Sequence, residues 1–155
     1  MKIWIDADAC PKPIKEILYR AADRTRTELT LVANHSLQTP PSPYINTIQV
    51  PGGFDVADNR IAQDMQPGDL VITADIPLAA RCLRNGATVI GPTGKPFDDD
   101  SIGMALATRD LLTDLRSAGA TTRGPPPLSR QDLSRFLSAL DLAVTRLQRK
   151  LAAQR

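Results

Sequence analysis

The chain of 155 residues is poor in several features that mark common protein classes. Its two cysteines, Cys10 and Cys82, do not make the disulfide framework of a small secreted protein. No apolar run approaches the ~20 residues of a membrane-spanning helix, and the aspartate at position 6 comes too early for a secretory signal peptide. We therefore expect one soluble, cytoplasmic domain that does not associate with membranes.

Aromatic residues, histidine and glycine-rich loops are also scarce. One tryptophan, two tyrosines and three phenylalanines leave little surface for base stacking, so any nucleic-acid contact is expected to be mostly electrostatic and to the backbone. His35, the only histidine, leaves a serine-type triad without a second candidate base and is predicted to be a loop residue. The sequence contains neither a dinucleotide-binding fingerprint nor a Walker A motif.

The formal net charge of +2 conceals a strong asymmetry along the chain. Residues 1–122 carry 12 basic and 15 acidic groups, whereas residues 123–155 carry 7 basic and 2 acidic groups. An acidic body with a basic C-terminal segment fits a metal-dependent site beside an anion-attracting arm. The alternative for the arm is an ordinary solvated amphipathic helix.

Short apolar runs alternate along most of the chain with segments whose apolar residues recur at the spacing of a helix. Strands are predicted at residues 2–5, 28–33, 45–50, 69–73 and 87–90, and the stretch 91–100 is predicted to be rich in turns. One helix is predicted to begin at residue 14, and three further helices are predicted to cover residues 56–65, 77–83 and 102–115. This alternation predicts an α/β fold of three layers, α/β/α, with a mostly parallel sheet of about five strands.

The C-terminal part is predicted to add one helix to that fold. We expect a domain over residues 1–118, a Pro/Gly-rich connector over 119–128 and a final amphipathic helix over 129–155, capped by Ser129 with Asp132 as its partner. Its apolar stripe comprises Leu133, Phe136, Leu137, Leu140, Val144, Leu147 and Leu151. That stripe must be buried against the domain or against a second copy, which makes a homodimer one of two expectations.

Aspartates follow three of the predicted strands. Ligands of open parallel sheets bind beyond the carboxyl ends of the strands, where these side chains are expected to meet. Crowded carboxylates repel one another unless a cation neutralises them, and an oxygen-only ligand set suits Mg²⁺ or Mn²⁺. The residues predicted to bind the metal and to carry catalysis are Asp6, Asp8, Asp58 and Asp75.

Each of these residues also has a purely structural interpretation. Asp6 and Asp8 are alternatively caps of the first helix, and Asp75 a cap of the helix at Pro77. Asp58 is alternatively a first-turn acid favoured by the helix dipole, and Asp55 is interpreted as the cap of that helix. Residues predicted to bind substrate or to orient water are Thr73, Asn34, Ser36, Asn59 and Arg109.

Three blocks of the sequence resemble the signature blocks of the bacterial YaiI/YqxD family: residues 3–11, residues 53–59, and residues 69–79 with Thr73-Ala74-Asp75. The resemblance extends over most of residues 1–130. It implies a place among PIN-like domains, which are metal-dependent ribonucleases of α/β/α architecture, although the family itself has no established activity. In that superfamily an acid follows the first strand, another lies on a mid-chain helix, and a Thr/Ser-x-Asp follows the fourth strand.

The resemblance assigns these places to Asp6 with Asp8, to Asp58, and to the 73–75 block. The helical position is more often glutamate in that superfamily, so the aspartate found here has a shorter reach. The resulting hypothesis is a metal-dependent nuclease that favours RNA, with the basic C-terminal segment holding the substrate backbone. The alternatives are a haloacid-dehalogenase-type phosphatase that uses Asp6 and Asp8, and a non-catalytic metal- or RNA-binding domain.

Overall fold

The structure, a computed structural model, describes residues 1–53, 55–98, 103 and 128–154. The strands in this part of the chain are β1 (Lys2–Asp6), β2 (Glu28–Ala33), β3 (Ile45–Gln49), β4 (Leu70–Ile72), β5 (Thr88–Ile90) and β6 (Pro96–Phe97). The helices are α1 (Lys12–Thr25), α2 (Val56–Asp64), α3 (Ile76–Arg84) and α4 (Arg130–Ala153). Apart from residues 103 and 128, the helix predicted over 102–115 and the connector predicted over 119–128 lie outside the described residues.

The strands form one sheet in the order β3-β2-β1-β4-β5-β6. The first five strands are parallel, as predicted, and β6 is antiparallel to β5. The stretch 91–100, predicted to be rich in turns, therefore also contains a short sixth strand at Pro96 and Phe97 that was not predicted. The backbone N–H of Gly91 donates to the carbonyl of Lys95 at 2.8 Å, so the chain reverses and returns beside Ile90; a strand of two residues is too short to show alternation.

Successive side chains of the central strands are buried on opposite faces of the sheet. Ile3 and Ile5 of β1 pack in one core with buried residues of α1 and α4. Trp4, between them, packs in a second core with buried residues of α2 and α3. A strand covered on both faces requires a continuous apolar run, and the predicted three-layer α/β/α class is confirmed.

The last helix, α4, packs on the domain itself. Ser129 and Asp132 form the predicted capping box, with each side chain accepting from the other's backbone N–H. Phe136, Leu140, Val144 and Leu147 are buried in the core shared with α1 and the sheet.

The apolar stripe of α4 is narrower than predicted. Leu137 and Leu151 are 41% and 40% exposed. The described residues after Leu147 are all exposed. No helix in the described ranges has both the length and the apolar character needed to cross a membrane.

Candidate metal centre at the carboxyl edge of the sheet

The sheet order creates a crevice between two neighbouring strands. From β1 the chain continues to β2 on one side, whereas β4 continues to β5 on the other. Such a reversal leaves a ligand-binding crevice at the carboxyl ends of the two strands. A cavity of about 190 Å³ lies there, and the described residues that line it are Asp6, Ala9, Cys10, Pro11, Asp58, Ile72, Thr73, Ala74, Asp75 and Pro92.

Three aspartates next to this crevice form a compact set of oxygen donors. One carboxylate oxygen from each of Asp55, Asp58 and Asp75 lies within 4.8 Å of the other two. Two of these residues, Asp58 and Asp75, were predicted to bind metal. The set therefore brings together the first turn of α2 and the first turn of α3.

Asp75 is positioned by hydrogen bonds at the start of α3. Its Oδ1 accepts from the backbone N–H of Leu78 at 2.9 Å, and its own backbone N–H donates to Thr73 Oγ1 at 2.9 Å. The structural interpretation of Asp75 as a helix cap is thus confirmed for one oxygen. Its Oδ2 accepts no hydrogen bond from another described residue, so capping and metal binding are compatible.

Asp55, for which the role of a helix cap was preferred, is also a member of the oxygen set. It occupies the N-cap position of α2, yet its side chain makes no capping hydrogen bond. Its backbone is left-handed, with φ of 61°, a conformation that aspartate tolerates better than most residues. The available signal was its spacing from Asp58, since residues three apart lie on the same side of a helical turn.

The carboxyl of Asp58 has a strongly raised pKa. Burial raises its pKa to about 7, with further contributions from the negative charges of Asp75 and Asp6 and from a hydrogen bond with Asp6. Burial also raises the pKa of Asp6, against the lowering effect of the backbone N–H of Asp8. Both shifts have burial as their largest cause, and the neighbouring carboxylates add repulsion that a bound cation would relieve.

Asp8 points away from the cavity. Its Oδ2 accepts from the backbone N–H of Asn34 at 2.7 Å, and its Oδ1 lies 2.7 Å from His35 Nδ1. β1 ends at Asp6 and the chain turns at residues 7 and 8, so two carboxylates that would share a side of an extended strand diverge. This geometry does not favour an aspartyl-phosphate mechanism in which Asp6 and Asp8 act together.

Neither Asp6 nor Asp8 caps the first helix. The N-cap of α1 is Pro11, with no side-chain capping bond, and Asp6 Oδ1 instead accepts from the backbone N–H of Asp8 at 3.1 Å. Asn34 and Ser36, predicted to bind substrate, lie in the exposed bend beyond β2 beside this contact. Arg109, also predicted to bind substrate, lies outside the described residues.

Asn59 contacts an arginine that the sequence analysis did not single out. Its Oδ1 accepts from Arg81 Nη1 at 2.7 Å. A second cavity of about 200 Å³ lies on this side, and its described lining residues are Asp55, Asp58, Asn59, Asp75, Pro77, Leu78 and Arg81. Asp58 and Asp75 line both cavities, so one guanidinium faces the acidic set from the side opposite Asp6.

Cys10 contributes an uncharged side chain to the first cavity. Burial, with a smaller contribution from the charge of Asp6, raises the pKa of its thiol to about 12, against the lowering effect of Lys15. A thiol of that pKa is not ionised at neutral pH and is a poor nucleophile. Cys10 packs against the core as a partly buried side chain.

The fold and the cavity define a small α/β domain with an acidic pocket at the carboxyl edge of a parallel sheet. A family model described as "Uncharacterized BCR, YaiI/YqxD family" matches residues 4–146, and the chain belongs to this family. It is 54% identical over 152 residues to a UPF0178 protein of Cellvibrio japonicus (strain Ueda107), covering 97% of this chain and 100% of that protein.

A second relative is similar over the same length. The chain is 49% identical over 150 residues to a UPF0178 protein of Hydrogenovibrio crunogenus (strain DSM 25203 / XCL-2), covering 97% of this chain and 99% of the relative. No solved structure matches the chain significantly. The resemblance predicted from the three sequence blocks is therefore confirmed at the level of the family.

Proposed function

We propose that this protein is a metal-dependent hydrolase that cleaves phosphodiester bonds, with RNA as the favoured substrate. The observation that carries the proposal is the set of three aspartate oxygens within 4.8 Å of one another, beside Asp6 in the crevice between β1 and β4. Acidic side chains from three separate elements meet at the place where parallel sheets bind ligands.

The donor set fits a small, hard divalent cation. Asp55, Asp58 and Asp75, whose carboxylate oxygens lie within 4.8 Å of one another, would hold such an ion through oxygen ligands alone. Asp58, whose pKa is raised to about 7 by burial and by neighbouring carboxylates, ionises more readily when a cation binds. A bound Mg²⁺ or Mn²⁺ ion would polarise the phosphodiester and lower the pKa of water.

The chain's own groups divide the remaining tasks. Thr73 and the amide of Leu78 hold Asp75 in one orientation. Asp6 lines the cavity from the end of β1, outside the three-oxygen set, and accepts the proton of the attacking water. Arg81, held by Asn59, contacts a non-bridging phosphate oxygen from the opposite side and offsets its negative charge.

The size of the cavity favours a polymer over a small phosphate metabolite. A volume of about 190 Å³ is below the ~300 Å³ at which pockets begin to enclose drug-sized ligands. It admits a phosphate group, while the rest of the substrate lies along the surface. With few aromatic residues for stacking, recognition through the sugar-phosphate backbone is the mode that this surface supports.

Cleavage of a fluorescent single-stranded RNA by the full chain, in Mn²⁺, Mg²⁺ or EDTA, tests the proposal. We expect Mn²⁺-dependent cleavage that falls at least a hundredfold in Asp75→Asn and in Asp6→Asn. Asparagine at position 75 retains the acceptor for the Leu78 amide and removes only the charge. Asp64→Asn, on α2 but paired with Arg60 away from the cavities, is the matched control and should cleave normally.

The proposal fails if cleavage persists in both Asp75→Asn and Asp6→Asn, or if EDTA leaves the wild-type rate unchanged. Metal binding without hydrolysis is the second candidate function, because aspartate at position 58 reaches less far than glutamate and the oxygens are spread over as much as 4.8 Å. In that case Mn²⁺ protects the wild-type fold against heat while the RNA stays intact.

A further inference from the structure

A groove of about 590 Å³ lies beside the acidic cavity, between the loop after β5 and the first turns of α4. The described residues that line it are Thr93, Gly94, Lys95, Asp132, Ser134, Arg135 and Ser138. We refer to it as the cationic groove. Pro92 lines the acidic cavity and the next residue, Thr93, lines the groove. The cavity and the groove therefore adjoin along this loop, and a polymeric substrate that leaves the cavity enters the groove.

The two sides of the cationic groove are held together closely. A Cβ added to Gly94, whose φ is +87°, would lie 2.6 Å from the backbone carbonyl of Arg135. Gly94 also donates its N–H to the carbonyl of Gly91 at 2.9 Å, closing the loop. Lys95 and Arg135 are therefore presented from a loop and a helix that touch through their backbones.

The described lining of the groove contains one carboxylate, that of Asp132, whose pKa is lowered by its hydrogen bonds with Ser129 and by the charge of Arg135. Neither Lys95 nor Arg135 takes part in an ion pair with any residue that the structure describes. Both are exposed, and Ser134 and Ser138 line the same groove. Asp132, the one acid in the lining, accepts from the backbone N–H of Ser129 at 3.0 Å and serves the start of α4.

We infer that the cationic groove is a phosphate-binding subsite for the backbone of single-stranded RNA that flanks the cleaved bond. Two unpaired cations and two hydroxyls are the donors that phosphate oxygens take. The loop over residues 92–95 spans at most about 10 Å, so the groove receives a phosphate within the first few nucleotides beyond the acidic cavity. This inference rests on the proposed function for the position of the bound phosphate relative to the cleaved bond, but not for the binding of RNA itself.

Fluorescence anisotropy with a labelled single-stranded RNA, in EDTA so that no cleavage occurs, tests the subsite separately from catalysis. The variants are Lys95→Gln, Arg135→Gln and the double variant of the full chain. Arg84→Gln is the control: Arg84 is exposed in the last turn of α3, at the amino-terminal edge of the sheet, and its loss changes the net charge equally.

We expect each single variant to weaken RNA binding about threefold and the double variant about tenfold, whereas Arg84→Gln binds as wild type. The dependence of log affinity on log salt should become shallower by about 1.4 in the double variant, since each phosphate contact on a single strand contributes about 0.7.

Unchanged affinity and salt dependence in the double variant, or equal losses in Arg84→Gln, would overturn the inference. So would a wild-type protein that does not bind RNA. If the wild-type protein binds RNA without cleaving it, and the double variant binds more weakly, the proposed function is refuted and the subsite is supported. Mn²⁺-dependent cleavage with unchanged binding in the double variant gives the opposite result.

Discussion

Asp58 is partly buried among three other carboxylates, and its pKa follows from that position. Burial is the largest cause, and repulsion from Asp75 and Asp6 adds to it, so the carboxyl titrates near 7 instead of at its ordinary value of 3.8. The residue is therefore half protonated at neutral pH when no cation is bound. Because the repulsion and the burial both act on one carboxyl, we expect substitution of Asp58 to remove them.

This shift predicts how stability depends on pH in the metal-free protein. Between pH 4 and 7 the folded chain keeps a proton on Asp58 that the unfolded chain has released, so Asp58 destabilises the fold increasingly as pH rises through this window and to a constant extent above it. We expect Asp58→Asn to flatten that slope. At pH 7.5 in EDTA the variant should be more stable than wild type by about 1 to 2 kcal/mol, a value discounted for partial exposure.

Urea unfolding of wild type and Asp58→Asn at pH 5, 6 and 7.5, in EDTA, measures this difference. Asp64→Asn on the same helix controls for loss of an acid outside the cluster and should keep the wild-type slope. Parallel pH profiles for wild type and Asp58→Asn would show that the cluster does not perturb the carboxyl.

Asp69 shows that an acid in a family block can be structural. It is 4% exposed, and it accepts hydrogen bonds from the backbone N–H of Lys2, from Trp4 Nε1 and from the backbone N–H of Gln66, each at 2.9 Å. Three donors satisfy both oxygens of this buried carboxylate and explain why it is tolerated in the core. It joins the starts of β1 and β4 at the edge of the sheet opposite the acidic cavity, and so supports the two strands between which that cavity lies.

At the scale of elements, apolar runs and helical stripes were sufficient to predict five strands and the helices that the structure describes. β1 and β4 are buried on both faces, so their runs are continuous and easily recognised. The signal fails where an element is too short or its end turns. β6 has two residues, and the turn after Asp6 sends Asp8 towards Asn34 and His35, which periodicity does not show.

Some members of the candidate site could be predicted from the sequence, and others could not. Asp58 and Asp75 follow strands that end at the same sheet edge, so topology alone brings them together. Asp55 joins them through a left-handed backbone, and Arg81 through a hydrogen bond to Asn59 across two helices. Backbone conformation at one residue and contacts between distant helices depend on tertiary packing, which a single sequence does not display.

The contact between the loop after β5 and α4 predicts the behaviour of Gly94. Alanine there would place a Cβ against the backbone of Arg135 and hold a positive φ, so the loop and helix must separate. We expect Gly94→Ala to lower the free energy of unfolding by about 2 kcal/mol and Tm by roughly 4 to 8 °C. Gly52→Ala is the matched control, because its Cβ would meet nothing within 4 Å. Equal melting curves for the two variants would contradict the close packing seen here.

At the scale of the whole molecule, the acidic body of the chain and the start of the basic C-terminal segment meet at one edge of the sheet. The acidic residues of the body are gathered at the ends of β1 and β4, and the basic segment returns as α4 beside them. Opposed charges usually neutralise each other in ion pairs, but Lys95 and Arg135 remain unpaired among the described residues. Under the proposed function, this arrangement would separate the site that binds the cation from the site that binds the phosphate.

Because the acidic cluster joins α2, α3 and the end of β1, a cation bound there should stabilise the entire fold. A ligand of the native state at one hundred times its Kd adds about 2.7 kcal/mol, which raises Tm by roughly 5 to 10 °C in a domain of this size. We expect Mn²⁺ to produce this shift in wild type and in Asp64→Asn, and EDTA to reverse it. Asp75→Asn, which keeps the helix cap and loses the charge, should show little of it. A shift of equal size in Asp75→Asn and Asp64→Asn would locate the bound cation elsewhere, since only the former removes an oxygen donor from the cluster.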